Sequence, residues 1–240
     1  MSPSASPRLV GHRGAPREAP ENTLSSFERA LARGADAIEL DVHATADGVV
    51  VVHHDPVPRA HTPEGDPART PIASMTLDAL RRLTVGTTDR IPTLAEVLEL
   101  VGRRATVYVE IKGAAIEEAV AEAIERGPAE CAVHSFDHRA IGRMREIAPH
   151  IPRGLLFDVG TAPDFSGMAR RYEARDLWPH WSLIDERMVR DARTAGSRII
   201  AWTVNDEAVA LRLARLGVDA LCTDDVPLIR ARLAAGVATG

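Results

Sequence analysis

The run Gly34-Ala35-Asp36-Ala37-Ile38-Glu39-Leu40-Asp41-Val42-His43 decides how the chain is read. From Ile38 to Val42 apolar and acidic residues alternate. On a strand this places Ile38, Leu40 and Val42 on one face and Glu39 and Asp41 on the other. Neighbouring carboxylates repel, and burying them is costly unless something neutralises them; a metal cation does so most simply. Alone, the run would read as an edge strand with a solvated acidic face. It is not alone: Val107-Tyr108-Val109-Glu110-Ile111-Lys112 repeats the pattern, with Val107, Val109 and Ile111 on one face and Tyr108, Glu110 and Lys112 on the other.

Outward from these two strands the chain alternates. Residues 8–12 read as a strand, followed by a helix over 24–33 that Asn22 or Thr23 caps and Gly34 ends. After the strand at 37–42, the turn Ala46-Asp47-Gly48 and a return strand over 49–52 deliver His53, His54 and Asp55. The Pro-rich stretch at about 56–90, with a helix at 76–83, is expected to be an insertion, being too small for a core of its own. Pro92-Thr93-Leu94 then opens a helix to Val101. Strands at 106–111, 132–136, 154–158, 176–179, 198–204 and 220–223 follow, alternating with helices at 114–126, 138–147, 164–172, 185–195, 206–216 and 226–235. With the return strand set aside, eight strands alternate with helices in 240 residues. That count predicts an α/β fold, a (β/α)8 TIM barrel formed by 1–240 as a single domain with a small insertion after strand two. A doubly wound open sheet is the alternative.

Composition narrows the function. Net charge is −5, and no basic run suggests a nucleic-acid surface. No stretch of about 18 apolar residues predicts stable membrane insertion. Met1 to Arg8 is Ser/Pro-rich and does not read as a secretory signal. Cys131 and Cys222 fall in well-separated strands, so no disulfide is expected and a reducing cytoplasm fits. Of the 29 basic residues, all but Lys112 are arginine. A compact point charge retained once in an Arg-rich chain points to chemistry at that position.

In such barrels catalytic groups sit at the C-terminal ends of strands. There the sequence puts His12 and Arg13, Glu39 and Asp41, Glu110 and Lys112, Trp202 and Asn205, and Thr223 and Asp224. Glu39, Asp41 and Glu110 form a three-carboxylate cluster without a nearby Cys, which suits a hard divalent cation, Mg²⁺, Ca²⁺ or Mn²⁺, rather than Zn²⁺. Arg13 and Lys112 offset the remaining charge and can hold an anionic group; cation, Arg and Lys together suit a phosphate ester. His12 and His54 titrate near neutral pH and can serve as the acid and the base that phosphodiester cleavage requires. His43, His61, His134, His138, His150 and His180 read as surface or packing residues, with His134 and His180 as lesser pocket candidates and His61 as a lesser candidate for touching substrate from the insertion. Trp178 and Trp181 read as packing residues.

The chain resembles the glycerophosphodiester phosphodiesterase family. The resemblance rests on His12-Arg13-Gly14, Pro20-Glu21-Asn22-Thr23, Gly34-Ala35-Asp36, Glu39-Leu40-Asp41-Val42, Asp47-Gly48, His54-Asp55, Ile91-Pro92-Thr93-Leu94, Glu110-Ile111-Lys112, Ser135-Phe136, Trp202-Thr203-Val204-Asn205 and Thr223-Asp224, which span nearly the whole chain in the family's order. It implies a TIM barrel, one divalent cation on Glu39, Asp41 and Glu110, and acid–base catalysis by His12 and His54. It further implies phosphate contacts from Arg13 and Lys112, pocket lining by Asn22 and Trp202, and support of a strand end by Asn205. The expected reaction is hydrolysis of a small glycerophosphodiester to glycerol 3-phosphate and an alcohol, by a monomer or homodimer. The Pro-rich Pro56-Val57-Pro58-Arg59-Ala60-His61 departs from the family pattern and bears on which alcohol is accepted. A lysophospholipase D-like or sphingomyelinase D-like phosphodiesterase is the nearest alternative, and a catalytically silent barrel that binds a phosphorylated ligand is the other.

Overall fold

The computed structural model describes residues 6–160 and 164–237; the Ser/Pro-rich start, Met1 to Ala5, lies outside them. Eight strands pair in parallel: β1 (Arg8–Gly11), β2 (Ala37–Ala44), β4 (Thr106–Ile111), β5 (Cys131–Ser135), β6 (Arg153–Phe157), β7 (Asp176–Pro179), β8 (Arg198–Ala201) and β9 (Ala220–Thr223). β1 pairs with both β2 and β9, which closes the sheet into a TIM barrel and removes the open-sheet alternative. The short β3 (Val50–Val52) runs antiparallel to the end of β2.

Strand alternation sorts the side chains as the sequence implies. Ile38, Leu40, Val42, Val107, Val109 and Ile111 point outward into the layer between barrel and helices. Val10, Ala37, Tyr108, Ala132, Leu156, Trp178, Ile200, Ala220 and Cys222 fill the interior. At the N-terminal end, buried Asp176 accepts from Arg175 and Arg198, and Arg198 also donates to the Tyr108 hydroxyl at 3.1 Å. A charge buried there is tolerated because it is paired and hydrogen-bonded. Three further buried acids, Glu39, Asp41 and Glu110, lie towards the opposite end.

The helices are α1 (Leu24–Ala32), α2 (Leu77–Arg81), α3 (Leu94–Val101), α4 (Glu117–Arg126), α5 (His138–Ile147), α6 (Phe165–Tyr172), α7 (Glu186–Thr194), α8 (Glu207–Leu216) and α9 (Val226–Val237). Thr23, Thr76, Thr93, Asp137, Asp164, Asp185 and Asp206 each cap a helix by accepting a first-turn backbone N–H. Pro92 stands outside α3, whose start is the Thr93–Glu96 capping box. α4 begins three residues later than the sequence suggests, after Ala115 at φ 54°. The strand expected over 198–204 stops at Ala201. Between β3 and α3 the inserted segment gathers Ala60, Ile72, Leu80, Leu83, Val85 and Ile91 around Val51 of β3, a satellite core moored to the barrel.

Candidate active site

Strand register assembles the site. Asp41 on β2 stands opposite Glu110 on β4, and Glu110 stands opposite His134 on β5. Glu39, two residues before Asp41, points to the same interior. All four are buried. Ligand atoms of Glu39, Glu110 and His134 lie within 4.8 Å of one another. Lys112 Nζ donates to Glu110 Oε1 at 2.7 Å and lies 3.3 Å from Asp41 Oδ1, which nonetheless accepts no hydrogen bond.

A strained turn after β1 supplies the other cation. Arg13 (φ 52°) and Asn22 (φ 57°) adopt left-handed backbone that side chains seldom favour. Ser26 of α1 holds that turn, donating to Arg13 O at 3.0 Å and accepting from Ala15 N at 2.8 Å. A Cβ at Gly14 would sit 2.4 Å from Ser26 Oγ, so only glycine fits there. The turn aims Arg13 N at Glu39 Oε2 (3.1 Å), Arg13 Nη1 at Glu21 (3.0 Å) and Arg13 Nε towards Asp41 Oδ2 (3.2 Å). Asn22 does not line the cavity. It sits behind Asp41, donating to Oδ2 at 2.8 Å and accepting from the Asp41 N–H at 3.3 Å.

These contacts divide the acids. Burial opposes charge on Asp41, but Lys112, Arg13 and the Asn22 hydrogen bond outweigh it and hold its pKa down at about 2. Burial, then repulsion from Asp41, pushes Glu110 up to about 8 despite Lys112. Without a bound cation the cluster therefore takes up a proton on Glu110. A carboxyl whose charge is opposed by burial and by Asp41, an Asp41 oxygen without a donor, and three convergent ligand atoms are together what a divalent cation would satisfy. The residues fit such an ion. His134, a lesser pocket candidate from the sequence, joins Glu39 and Glu110 here because strand register sets it beside Glu110.

The two candidate acid–base residues have a common construction. His12 Nδ1 donates to Asp224 Oδ1 at 2.7 Å, and Asn205 fixes Asp224 by donating to Oδ2 at 2.6 Å. His54 Nδ1 donates to Asp55 Oδ1 at 2.6 Å, and Arg59 holds the far oxygen of Asp55. Binding Nδ1 to a carboxylate fixes the ring and leaves Nε2 for chemistry. Burial lowers the His12 pKa, but the Asp224 hydrogen bond and the charge of Glu39 more than compensate, and the net shift is upward. His53 faces away from the cavity; its Nε2 accepts from Arg59 N at 3.0 Å, and burial takes its pKa down to about 4.

A cavity of about 230 Å³ joins these groups. His12, Arg13, Glu39, His54, Glu110 and Lys112 form its polar side; Phe136, Leu156, Trp178 and Trp202 form the apolar side, with His134, Asp158 and Cys222 completing the lining. Trp178 thus packs and lines at once, while Trp181 packs against the helix layer. Cys131 and Cys222 are free thiols.

Comparison with known proteins agrees with this geometry. The profile of the glycerophosphoryl diester phosphodiesterase family matches residues 12–228. A glycerophosphodiester phosphodiesterase of Caldanaerobacter subterraneus is 35% identical over 233 residues, covering 90% of this chain and 93% of its own. A crystal structure from Silicibacter pomeroyi superposes with a TM-score of 0.90 at 27% identity, over 96% of this chain and 94% of that one. A phosphodiesterase of Oleispira antarctica, solved with its product sn-glycerol-3-phosphate, superposes with a TM-score of 0.85 at 27% identity, over 95% and 97%. A closed barrel, paired acids at the ends of β2 and β4, and a profile match that starts at His12 and passes beyond Asp224 converge on one assignment: this chain belongs to the glycerophosphoryl diester phosphodiesterase family.

Proposed function

We propose that the chain hydrolyses glycerophosphodiesters to glycerol 3-phosphate and an alcohol, in a cation-dependent reaction with His12 and His54 as the acid–base pair. The observation that carries this reading is the pair of carboxylate-anchored imidazoles sharing one cavity with Glu39, Glu110, Arg13 and Lys112. The complex of the Oleispira antarctica relative with sn-glycerol-3-phosphate supports the product.

Glu39, Asp41 and Glu110 would hold the cation, which supplies Lewis acidity toward a phosphate oxygen. Arg13 and Lys112 hold the remaining phosphate charge, and Asn22 keeps the Asp41 carboxylate in place. One imidazole accepts the proton of the attacking oxygen, from water or from the neighbouring glycerol hydroxyl. The P–O bond to the alcohol breaks, and the other imidazole protonates the departing alkoxide. If the glycerol hydroxyl attacks first, water opens the cyclic ester in a second step with the two roles exchanged. Trp202, whose Nε1 donates to Trp178 O at 2.9 Å, presents an ordered ring to the organic part of the substrate.

The test is a panel of glycerophosphodiesters incubated with Mg²⁺, Mn²⁺ and Ca²⁺, with glycerol 3-phosphate as the readout. Cation-dependent release from at least one diester supports the reading; no release from any overturns it in favour of a phospho-ligand binder. Phe136 and Val159, 42% and 56% exposed after β5 and β6, favour lysophospholipase D-like cleavage as a second reading, since they could meet an acyl chain. Choline release from lysophosphatidylcholine tests it. The two free cysteines support our placing the reaction in a reducing cytoplasm.

A further inference from the structure

His134 differs from the other imidazoles around the barrel mouth. His12, His54, His43 and His53 each have a ring nitrogen in a hydrogen bond. His134 is 1% exposed, its Nδ1 has no partner, and its Nε2 stands 3.7 Å from Glu39 Oε1, beyond hydrogen-bond reach. One ring nitrogen, Nδ1, is thus buried without a hydrogen bond, at a cost, while the other, Nε2, is turned towards the acids.

The pose is fixed by packing. The His134 ring stacks on Trp178 with centroids 4.3 Å apart and planes 9° apart. Gly154 on β6 makes room for that pair: a Cβ there would come within 2.9 Å of Trp178 and 3.2 Å of His134 Cβ. The stack holds the imidazole against Glu39 and Glu110, where donor atoms of all three lie within 4.8 Å, close to what a single ion can bridge.

We propose that His134 supplies a nitrogen donor to the cation site, making it a mixed nitrogen–oxygen site that favours Mn²⁺, Co²⁺ or Zn²⁺ over Mg²⁺ and Ca²⁺. The inference rests on the cation-dependent reading above. Carboxylates alone suit the hard ions, whereas imidazole shifts affinity toward the borderline transition metals.

The test uses metal-stripped full-length protein titrated with Mn²⁺ and, separately, Mg²⁺ by calorimetry, with pulsed electron paramagnetic resonance on the Mn²⁺ complex. The expected result is imidazole ¹⁴N coupling to Mn²⁺ in the wild type and its loss in His134→Gln. Mn²⁺ affinity should fall about 10–100-fold in that variant, a loss of the size seen when a metal site loses a supporting group, with Mg²⁺ affinity nearly unchanged. Coupling that is absent from the wild type overturns the inference without any variant. So does coupling that survives in a folded His134→Gln. If Mn²⁺ still binds in a Glu110-dependent manner in either case, only the nitrogen donor is lost and the cation reading stands. If no ion binds saturably, both fall.

Discussion

His12 and Asp224 are 212 residues apart in sequence and 2.7 Å apart in the barrel. In the proposed reaction that contact orients the His12 ring and leaves its Nε2 for proton transfer. Replacing His12 with Ala should lower kcat by roughly 10²–10⁴-fold, the usual worth of general acid–base catalysis. Steady-state kinetics on a glycerophosphodiester checks this; near wild-type turnover would remove His12 from the chemistry. Asp224→Asn gives a finer test. Asp224 favours the imidazolium and contributes to the raised His12 pKa. Without its charge, the limb of the kcat/KM–pH profile set by His12 should move to lower pH, whichever of acid or base His12 is. An unmoved limb would assign that limb to another group. Lys112, the single lysine in an arginine-rich chain, touches both Glu110 and Asp41. Composition alone pointed to it, because an ammonium is a compact point charge and a guanidinium a flat fork, and the two are not interchangeable.

At the scale of strands and helices, spacing constraints replace charge. Gly154→Ala would thrust a methyl against the Trp178 ring at 2.9 Å. Overpacking of this kind costs about 1–3 kcal/mol, expected as a lower urea midpoint with an unchanged slope and a shifted Trp fluorescence. Thr93→Ala removes the capping box of α3 and should cost about 1 kcal/mol by the same measurement. What was legible in the sequence follows from the range of the forces. The order of the strands and the two faces of β2 and β4 were legible, because side-chain alternation and capping act within a few residues. The place of His134 beside Glu110, the Asp224 anchor of His12 and the role of Asn22 were not. Asn22 and Thr23 looked alike as caps, yet Thr23 caps α1 while Asn22 turns inward to Asp41. Each of these placements depends on which strand lies beside which, through pairs such as Glu110 and His134.

For the whole molecule, the proposed cation would be linked to stability through the same acids. Glu110 is raised from 4.5 to about 8 in the metal-free fold, so this side chain binds more proton in the folded than in the unfolded chain between those values. Its contribution is complete below pH 4.5 and is lost as pH rises through 8. Above pH 6.5, where the lowered His53 no longer offsets it, the metal-free protein should lose stability towards pH 8, and Glu110→Gln should flatten the decline. Mn²⁺ at 100 times its Kd should return about 2.7 kcal/mol, roughly 5–11 °C in Tm for a domain of this size. Because protons compete for Glu110, the same Mn²⁺ concentration should raise Tm more at pH 8 than at pH 6. The most direct test of the central claim is phosphorus NMR of glycerophosphocholine incubated with the cation-loaded and the EDTA-treated enzyme. The expected spectrum shows the diester signal replaced by that of glycerol 3-phosphate in the loaded sample alone. A diester signal that persists in both samples, or conversion that EDTA leaves untouched, would contradict cation-dependent phosphodiester hydrolysis at this site.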